Sequence, residues 1–397
     1  MTTTTPELAP WPTGRANRDT ILAQFGEGRT DLMQWALTTG DPLADAVVTE
    51  MHELGMSRAR PLVTQGFQHG LASLTDPPPA LAALLTQTET APDYLDDELL
   101  DELPLPYFSS PAPVHMVSLA AGSLIRVYNS PSIAKVLTTT GRLLEGANRR
   151  LRETGNWQQR VMQPGSLRVG QPGYVAALEL RMLHAHMRKL AADRHFDTAR
   201  YGTPINQVDL GRTWMDYTLT SYTAEDSFGF GMSTLETAGL YKYWWYLAHL
   251  IGIDARLVQG ITDSHAAARL DAAFQAVTGP LIPESVELAE AGLSVVTATV
   301  KELLGVPENL GRPVLNAITR RIHGDATCQD LGVPDEPVAD LWLRPVIAGL
   351  RATRERRRRN PGAWQAAIDK NLTDARTQVA ADDQPTAFQR GATAADD

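Results

Sequence analysis

Arg181-Met182-Leu183-His184-Ala185-His186-Met187-Arg188 is the stretch on which the fold turns. It lies within a segment that reads as a helix apolar on nearly every side, from Tyr174 through Leu178, Leu180 and Leu183 to Leu190. A helix of that kind runs through the middle of a protein. Helical spacing puts Arg181, His184 and Arg188 on one stripe, whereas His186 points the other way. Two arginines and a histidine in such a place need partners, because an uncompensated buried charge costs several kcal/mol. A metal held by the imidazole and an anion met by the guanidinium groups would satisfy the stripe.

The same periodicity extends outward in both directions. It predicts helices over Thr30–Thr39, Asp45–Gly55, Met56–Ser73, Pro79–Thr86 and Asp93–Glu102. After the loop Pro104–Pro113, it predicts Val114–Tyr128, Pro131–Thr154, Pro172–Asp193, Asn206–Tyr222 and Thr237–Ile251. Asp263–Ala276, Pro283–Leu303, Glu308–Ile322 and Asp335–Arg359 complete the set. No alternating run bounded by hairpin turns argues for a strand. The fold class is therefore all-α: a flexible segment over 1–29, one helical domain over 30–360, and a polar, disordered tail over 373–397. The basic run Arg354–Arg359 reads first as a cationic cap on the last long helix. The acidic Asp93–Glu102 stretch reads first as a solvated face.

The chain has 397 residues, with 43% hydrophobic and 21% charged, so it can bury a sizeable core. A net charge of −10 argues against nucleic acid as the main partner. The single cysteine, Cys328, excludes a disulfide framework, a zinc cluster and covalent haem attachment. No export signal and no transmembrane stretch are evident, which makes a soluble, cytoplasmic protein the expectation.

Several chemistries fail on the letters. Glu-x-x-His, His-Glu-x-x-His, Gly-x-Ser-x-Gly and P-loop patterns do not occur. The Gly-x-Gly in Phe228-Gly229-Phe230-Gly231 lacks a preceding strand and reads as a loop. What remains is one histidine in an all-helical frame, the arrangement of a b-type haem with a proximal His. A lone buried histidine reads first as a hydrogen-bonded core residue. Arginines at −3 and +4 shift the balance, since haem carboxylates need cationic partners.

Taken in order, the motifs resemble the MpaB-type oxygenase family, which includes the latex-clearing proteins (rubber oxygenases). The resemblance rests on Gly40-Asp41-Pro42-Leu43-Ala44-Asp45-Ala46, Asn129-Ser130-Pro131, Lys135-Val136-Leu137 and Thr140-Gly141-Arg142-Leu143. Arg150-x-x-Glu153-Thr154, Arg181-x-x-His184-Ala185-x-x-Arg188, Pro204-Ile205-Asn206-Gln207-x-Asp209-Leu210 and the segment from Tyr243-Trp244 to Gly252-Ile253-Asp254 continue it. The resemblance spans residues 40–350 and implies a globin-like helical core with additional helices that holds haem b non-covalently. His184 would be the iron ligand, with Arg181 and Arg188 organising the helix and the cofactor's surroundings. Arg150 and Thr154 would lie on the side where O2 binds. The implied reaction is oxygenation, or oxidative cleavage of a C=C bond, on an apolar, isoprenoid-like substrate, with room for an electron donor.

Two positions depart from the rubber-cleaving members. Where those carry a lysine before the distal threonine, this chain has Glu153; where they carry a glutamate base, it has Ala134 and Lys135. Glu153 is the candidate to take over as base. These departures also leave open a non-catalytic carrier or sensor of haem or another hydrophobic ligand. A helical interaction protein without cofactor would instead satisfy the arginine–histidine stripe with buried carboxylates. Plainer readings stand beside each site residue: Thr154-Gly155 as a helix end, Arg150 in a surface ion pair, His186 as a packing residue and the best rival ligand. His115, His249, His265 and His323 need no functional role, and Asp209 and Trp214 read as packing.

Overall fold

The structure, a computed structural model, describes residues 8–140, 147–304 and 307–381. The first helices are α1 (Arg18–Phe25), α2 (Glu27–Thr38), α3 (Pro42–Leu54), α4 (Met56–His69), α5 (Pro79–Glu89) and α6 (Leu99–Glu102). Then come α7 (Ala112–Val117), α8 (Ile125–Tyr128), α9 (Pro131–Thr139), α10 (Ala147–Val161), α11 (Pro172–Asp193) and α12 (Thr198–Tyr201). α13 (Gln207–Met215), α14 (Ser221–Ser227), α15 (Thr234–Leu250) and α16 (Ser264–Ala276) follow. The chain closes with α17 (Pro283–Leu304), α18 (Glu308–Asp330), α19 (Pro337–Arg358) and α20 (Pro361–Ala381). The all-α class holds, with no strand among the described residues.

Local chemistry sets the boundaries. Proline occupies the first turn of α3, α9, α11 and α19, where its missing N–H costs nothing. Asn206 caps α13, Asp263 caps α16, and Ser233 with Glu236 forms a reciprocal capping box on α15. Gly324, at φ +76°, breaks α18 one residue after His323.

Two one-turn π-helices interrupt the middle of the fold. Residues 118–124 join α7 to α8, and residues 216–220 join α13 to α14. Each adds a residue to a helical turn and re-aims the side chains beyond it. They pack on each other, and the Ser123 hydroxyl donates to the Asp216 carbonyl at 2.6 Å. Around them lies a core rich in large side chains, among them Trp214, Trp244, Tyr174, Tyr241 and Phe274.

The structure corrects four expectations. Segment 1–29 is not flexible from residue 8 onward: Arg15 is buried, its Nη2 lying 3.3 Å from Asp209, and α1 packs on α2. The expected tail over 373–397 begins inside α20, whose Ile368 and Ala375 are buried; residues 1–7 and 382–397 lie outside the described residues. The predicted helix Pro131–Thr154 is two helices, and Thr154-Gly155 sits inside α10 rather than ending it. The basic run is more than a cap. Arg354 is buried, donates to the Ser109 and Gly231 carbonyls, and lies 4.8 Å from the Trp364 ring centre. The acidic stretch, by contrast, meets Arg168 through Asp97 and Asp101 at the surface.

Asp41 ties the frame together. Its carboxylate caps α3 by accepting from the Ala44 N–H at 3.3 Å, and it also takes both ends of the Arg181 fork at 2.6 and 3.0 Å. Arg181 further donates to Gln87 on α5 and to the Leu250 carbonyl at the end of α15. Gly252, at φ +81°, lets the chain pass; a Cβ there would stand 2.2 Å from Asp41 Oδ2. Removing one partner of such a buried pair strands the other. Asp41→Ala should lower the unfolding free energy by about 3–5 kcal/mol in chemical denaturation. Asp101→Ala, at an exposed pair, should cost at most about 1 kcal/mol.

Candidate functional site

His184 sits at the centre of α11, one turn beyond Arg181. The residue is half-buried, and protein crowds its imidazole closely enough to disfavour a charge on it. Nδ1 is buried without a hydrogen-bond partner, and no described group takes Nε2. Burial, reinforced by the nearby Arg188 charge and opposed by Asp41, holds its pKa down at about 4. At neutral pH it is an uncharged imidazole with a free lone pair, the state a transition metal requires. A core histidine with no role would normally spend both ring nitrogens on hydrogen bonds. Half-buried Leu183 and Met187 flank it and give the wall an apolar character.

α10 lies against α11, with Trp157 Nε1 donating to the Ala176 carbonyl at 3.2 Å. Counting back along these antiparallel helices brings residue 150 level with Leu183–His184 to within about a turn. Arg150 belongs to α10, but its side chain lies outside the described residues. Thr154 is half-buried beside the hydroxyl of Tyr217, which the π-turn at 216–220 delivers. The Tyr217 ring stacks on Trp244 at 5.5 Å and tilts against Trp157 at the same distance, so its direction is fixed on two sides. Burial drives the phenol pKa well up, leaving Tyr217 a proton donor at any physiological pH. Glu153 is half-buried and has a partner of its own.

The other predicted residues fall differently. The anions that meet Arg181 and Arg188 are carboxylates of the protein: Asp41, and Asp45 at 2.7 Å from Arg188 Nε. Neither guanidinium is free for a cofactor's carboxylates, apart from one buried, unpartnered nitrogen, Arg188 Nη2. Their role is to fix α11, and thereby His184. His186 points the other way, as its spacing requires, with Nδ1 on the Met182 carbonyl at 2.8 Å and its ring 6.4 Å from that of His52. Ala134 is fully buried, and Lys135 turns to Glu284, 3.3 Å away. His115 pairs with Glu225 and stacks on Tyr107, while His323 meets the Ala121 carbonyl. Asp209 and Trp214 are structural, the latter donating to the Trp244 carbonyl.

Sequence reading missed a buried polar cluster behind Tyr217. Arg126 meets Asp216 and Asp271, and Arg212 donates to Thr278 and to the Arg126 carbonyl. Arg126 Nε lies 2.8 Å from Asp216 Oδ1 but out of alignment, so neither oxygen of that carboxylate accepts a hydrogen bond. Burial pushes Asp216 up to about 7 against the pull of both arginines. These residues come from three distant segments, and no local spacing announces them. A separate cavity of about 500 Å³, walled by Pro92, Tyr94, Trp245, His249, Ile253 and Val258, does not include His184. Among the described residues, no three His, Cys, Asp or Glu side chains gather as a metal site. A metal at His184 would therefore need other donors, such as those of a macrocycle.

The sequence profile described as "ER-bound oxygenase mpaB/B'/Rubber oxygenase, catalytic domain" matches residues 110–354. No curated protein sequence matches the chain. Among solved structures, "Latex Clearing Protein LCP in the closed state" is similar in fold, with a TM-score of 0.63 at 18% identity. That match covers 92% of this chain and 96% of the other.

The imidazole also makes a prediction for the cofactor-free protein. Its folded pKa lies below the ordinary value of 6.5, so stability from the neutral ring is present above that pH and lost as pH falls toward about 4. The His184 ring resonances, assigned by their loss in His184→Gln, should not titrate between pH 7 and about 5 in NMR spectra. Titration near the unperturbed value would contradict the enclosed environment.

Proposed function

The chain belongs to the family of the mpaB and rubber oxygenase catalytic domains, and on that premise we propose that it is a haem b-dependent oxygenase acting on an apolar, isoprenoid-like alkene. The observation that carries this reading is the His184 imidazole: neutral, crowded by protein, and with Nδ1 claimed by no other described group. When bound, haem b would supply an iron that activates O2 for transfer to the substrate. The protein's own contribution can be derived from the residues.

His184 would hold the cofactor through its free lone pair, on a helix that the Asp41–Arg181 and Asp45–Arg188 pairs prevent from sliding. Thr154 would present a hydroxyl to the bound O2, with Tyr217 behind it as a second protonated donor. Donors fixed in place before reaction need no reorganisation when negative charge develops nearby. Arg150, level with His184, is proposed as a third. Leu183, Met187 and Trp157 would receive an apolar substrate and keep water away. Glu153, one residue before Thr154, remains the proposed proton acceptor. No helix among the described residues is long and apolar enough to cross a membrane.

Burial of Ala134 at the place of the expected carboxylate favours a second reading, a haem carrier without turnover. Oxygen uptake separates the two: an oxygenase consumes O2 when an alkene substrate is added, and a carrier does not.

The cofactor itself is tested by the absorption spectrum with a pyridine haemochrome assay. Wild type should bind haem b near one equivalent, and His184→Ala should lose it while His186→Ala keeps it. Haem retained in His184→Ala but lost in His186→Ala would move the ligand by two residues. A colourless protein that hemin cannot reconstitute would end this reading.

A further inference from the structure

α19 presents a face that nothing covers. Its inner side holds Leu343, Ile347 and Arg354 against the body of the protein. On the opposite side Val338, Leu341, Trp342 and Val346 stand exposed, Trp342 at 72% and Leu341 at 62%, with Leu350 at the edge next to the inner side. Helical spacing adds exposed Pro345, Gly349 and Ala352 to the same side. The face runs for about four turns without a charge. Arg344, Asp340 and Arg351 project off it, and the first charge on its axis is Arg356, at the C-terminal end. Just ahead of its N-terminal end lies exposed Asp335, whose one intrachain ion contact is a long one, 3.7 Å from Arg320 Nε. Apolar surface of this extent marks an interaction site.

From the pattern we infer that the face binds a second copy of this chain, with the two α19 helices antiparallel across a two-fold axis. A two-fold contact must be self-complementary, and this sequence is so in one register. Centred between Pro345 and Val346, the pairing sets Trp342 over the partner's Gly349. The largest side chain on the face thus meets its only glycine, where nothing lies within 4 Å of a Cβ position. The same register brings Asp335 opposite the partner's Arg356 at both ends. A bilayer with anionic lipids would attract the arginine end and repel the acidic one, and the chain as a whole carries −10. A second copy satisfies both ends at once.

Sedimentation velocity of the full chain between about 1 and 100 µM, the range in which a modest interface shows its equilibrium, provides the test. Wild type should form a dimer, and Trp342→Glu should weaken it by roughly 30-fold or more, the scale for losing a central aromatic anchor. Asp335→Arg should weaken it less, and adding Arg356→Asp should restore it. Should Trp342→Glu fail to fold by circular dichroism, the two surface charge variants still decide. A wild type that is monomeric throughout overturns the proposal, as does a dimer indifferent to these substitutions. A monomer that pellets with phosphatidylglycerol vesicles also overturns it and assigns the face to a membrane.

Discussion

One buried carboxylate sets the position of everything near the candidate site. Asp41 caps α3 and grips Arg181, which in turn holds the end of α15 and a glutamine on α5. Four helices therefore meet at one ion pair with side chains 3–4% exposed. A pair so buried gains little over an apolar contact of the same volume, yet it is intolerant of slippage, because any other register leaves a charge stranded. His184, one turn from Arg181, is held in register by that intolerance. α11 is otherwise a smooth apolar rod, free to move along its neighbours.

The second constraint is the stacked pair of π-turns. A helix running unbroken from Gln207 to Ser227 would rotate everything after residue 216 by the extra residue's worth of turn. The insertion turns Tyr217 toward Thr154 while Asp216 stays among Arg126 and Arg212. Adjacent residues thus serve opposite environments, an aromatic cluster beside Thr154 and a buried charge cluster. Trp157 and Trp244 hold the tyrosine between them.

Much of this was legible in the sequence, and the exceptions have physical causes. The apolar rod, its charged stripe and the odd placement of His186 follow from helical spacing alone, and His184 stands where that spacing puts it. The partners of Arg181 and Arg188 were invisible, because Asp41 and Asp45 precede them by 140 and 143 positions. The need for anions was readable; whether protein or cofactor supplies them was not. Tyr217 escaped notice because a π-turn has no composition signature and its neighbours Trp157 and Trp244 lie far off in sequence. The break before α10 was missed for a simpler reason: the apolar pattern crosses Thr140-Gly141 without a proline to stop it.

Long-range closure carries a consequence for how the molecule comes into being. Arg15 reaches Asp209 across 194 residues, and Arg354 reaches Ser109 across 245. The first and last parts of the chain are each sealed by a buried arginine whose partner lies deep in another segment. On the ribosome, early helices can form as they emerge, but Ser109 waits for its partner until Arg354 has been made. Loop-closure entropy over such spans must be overcome before any of these contacts contributes. Assembly is thus completed late: the central helix and its Asp41 and Asp45 partners are all made before Asp209 and Arg354 can close the two ends.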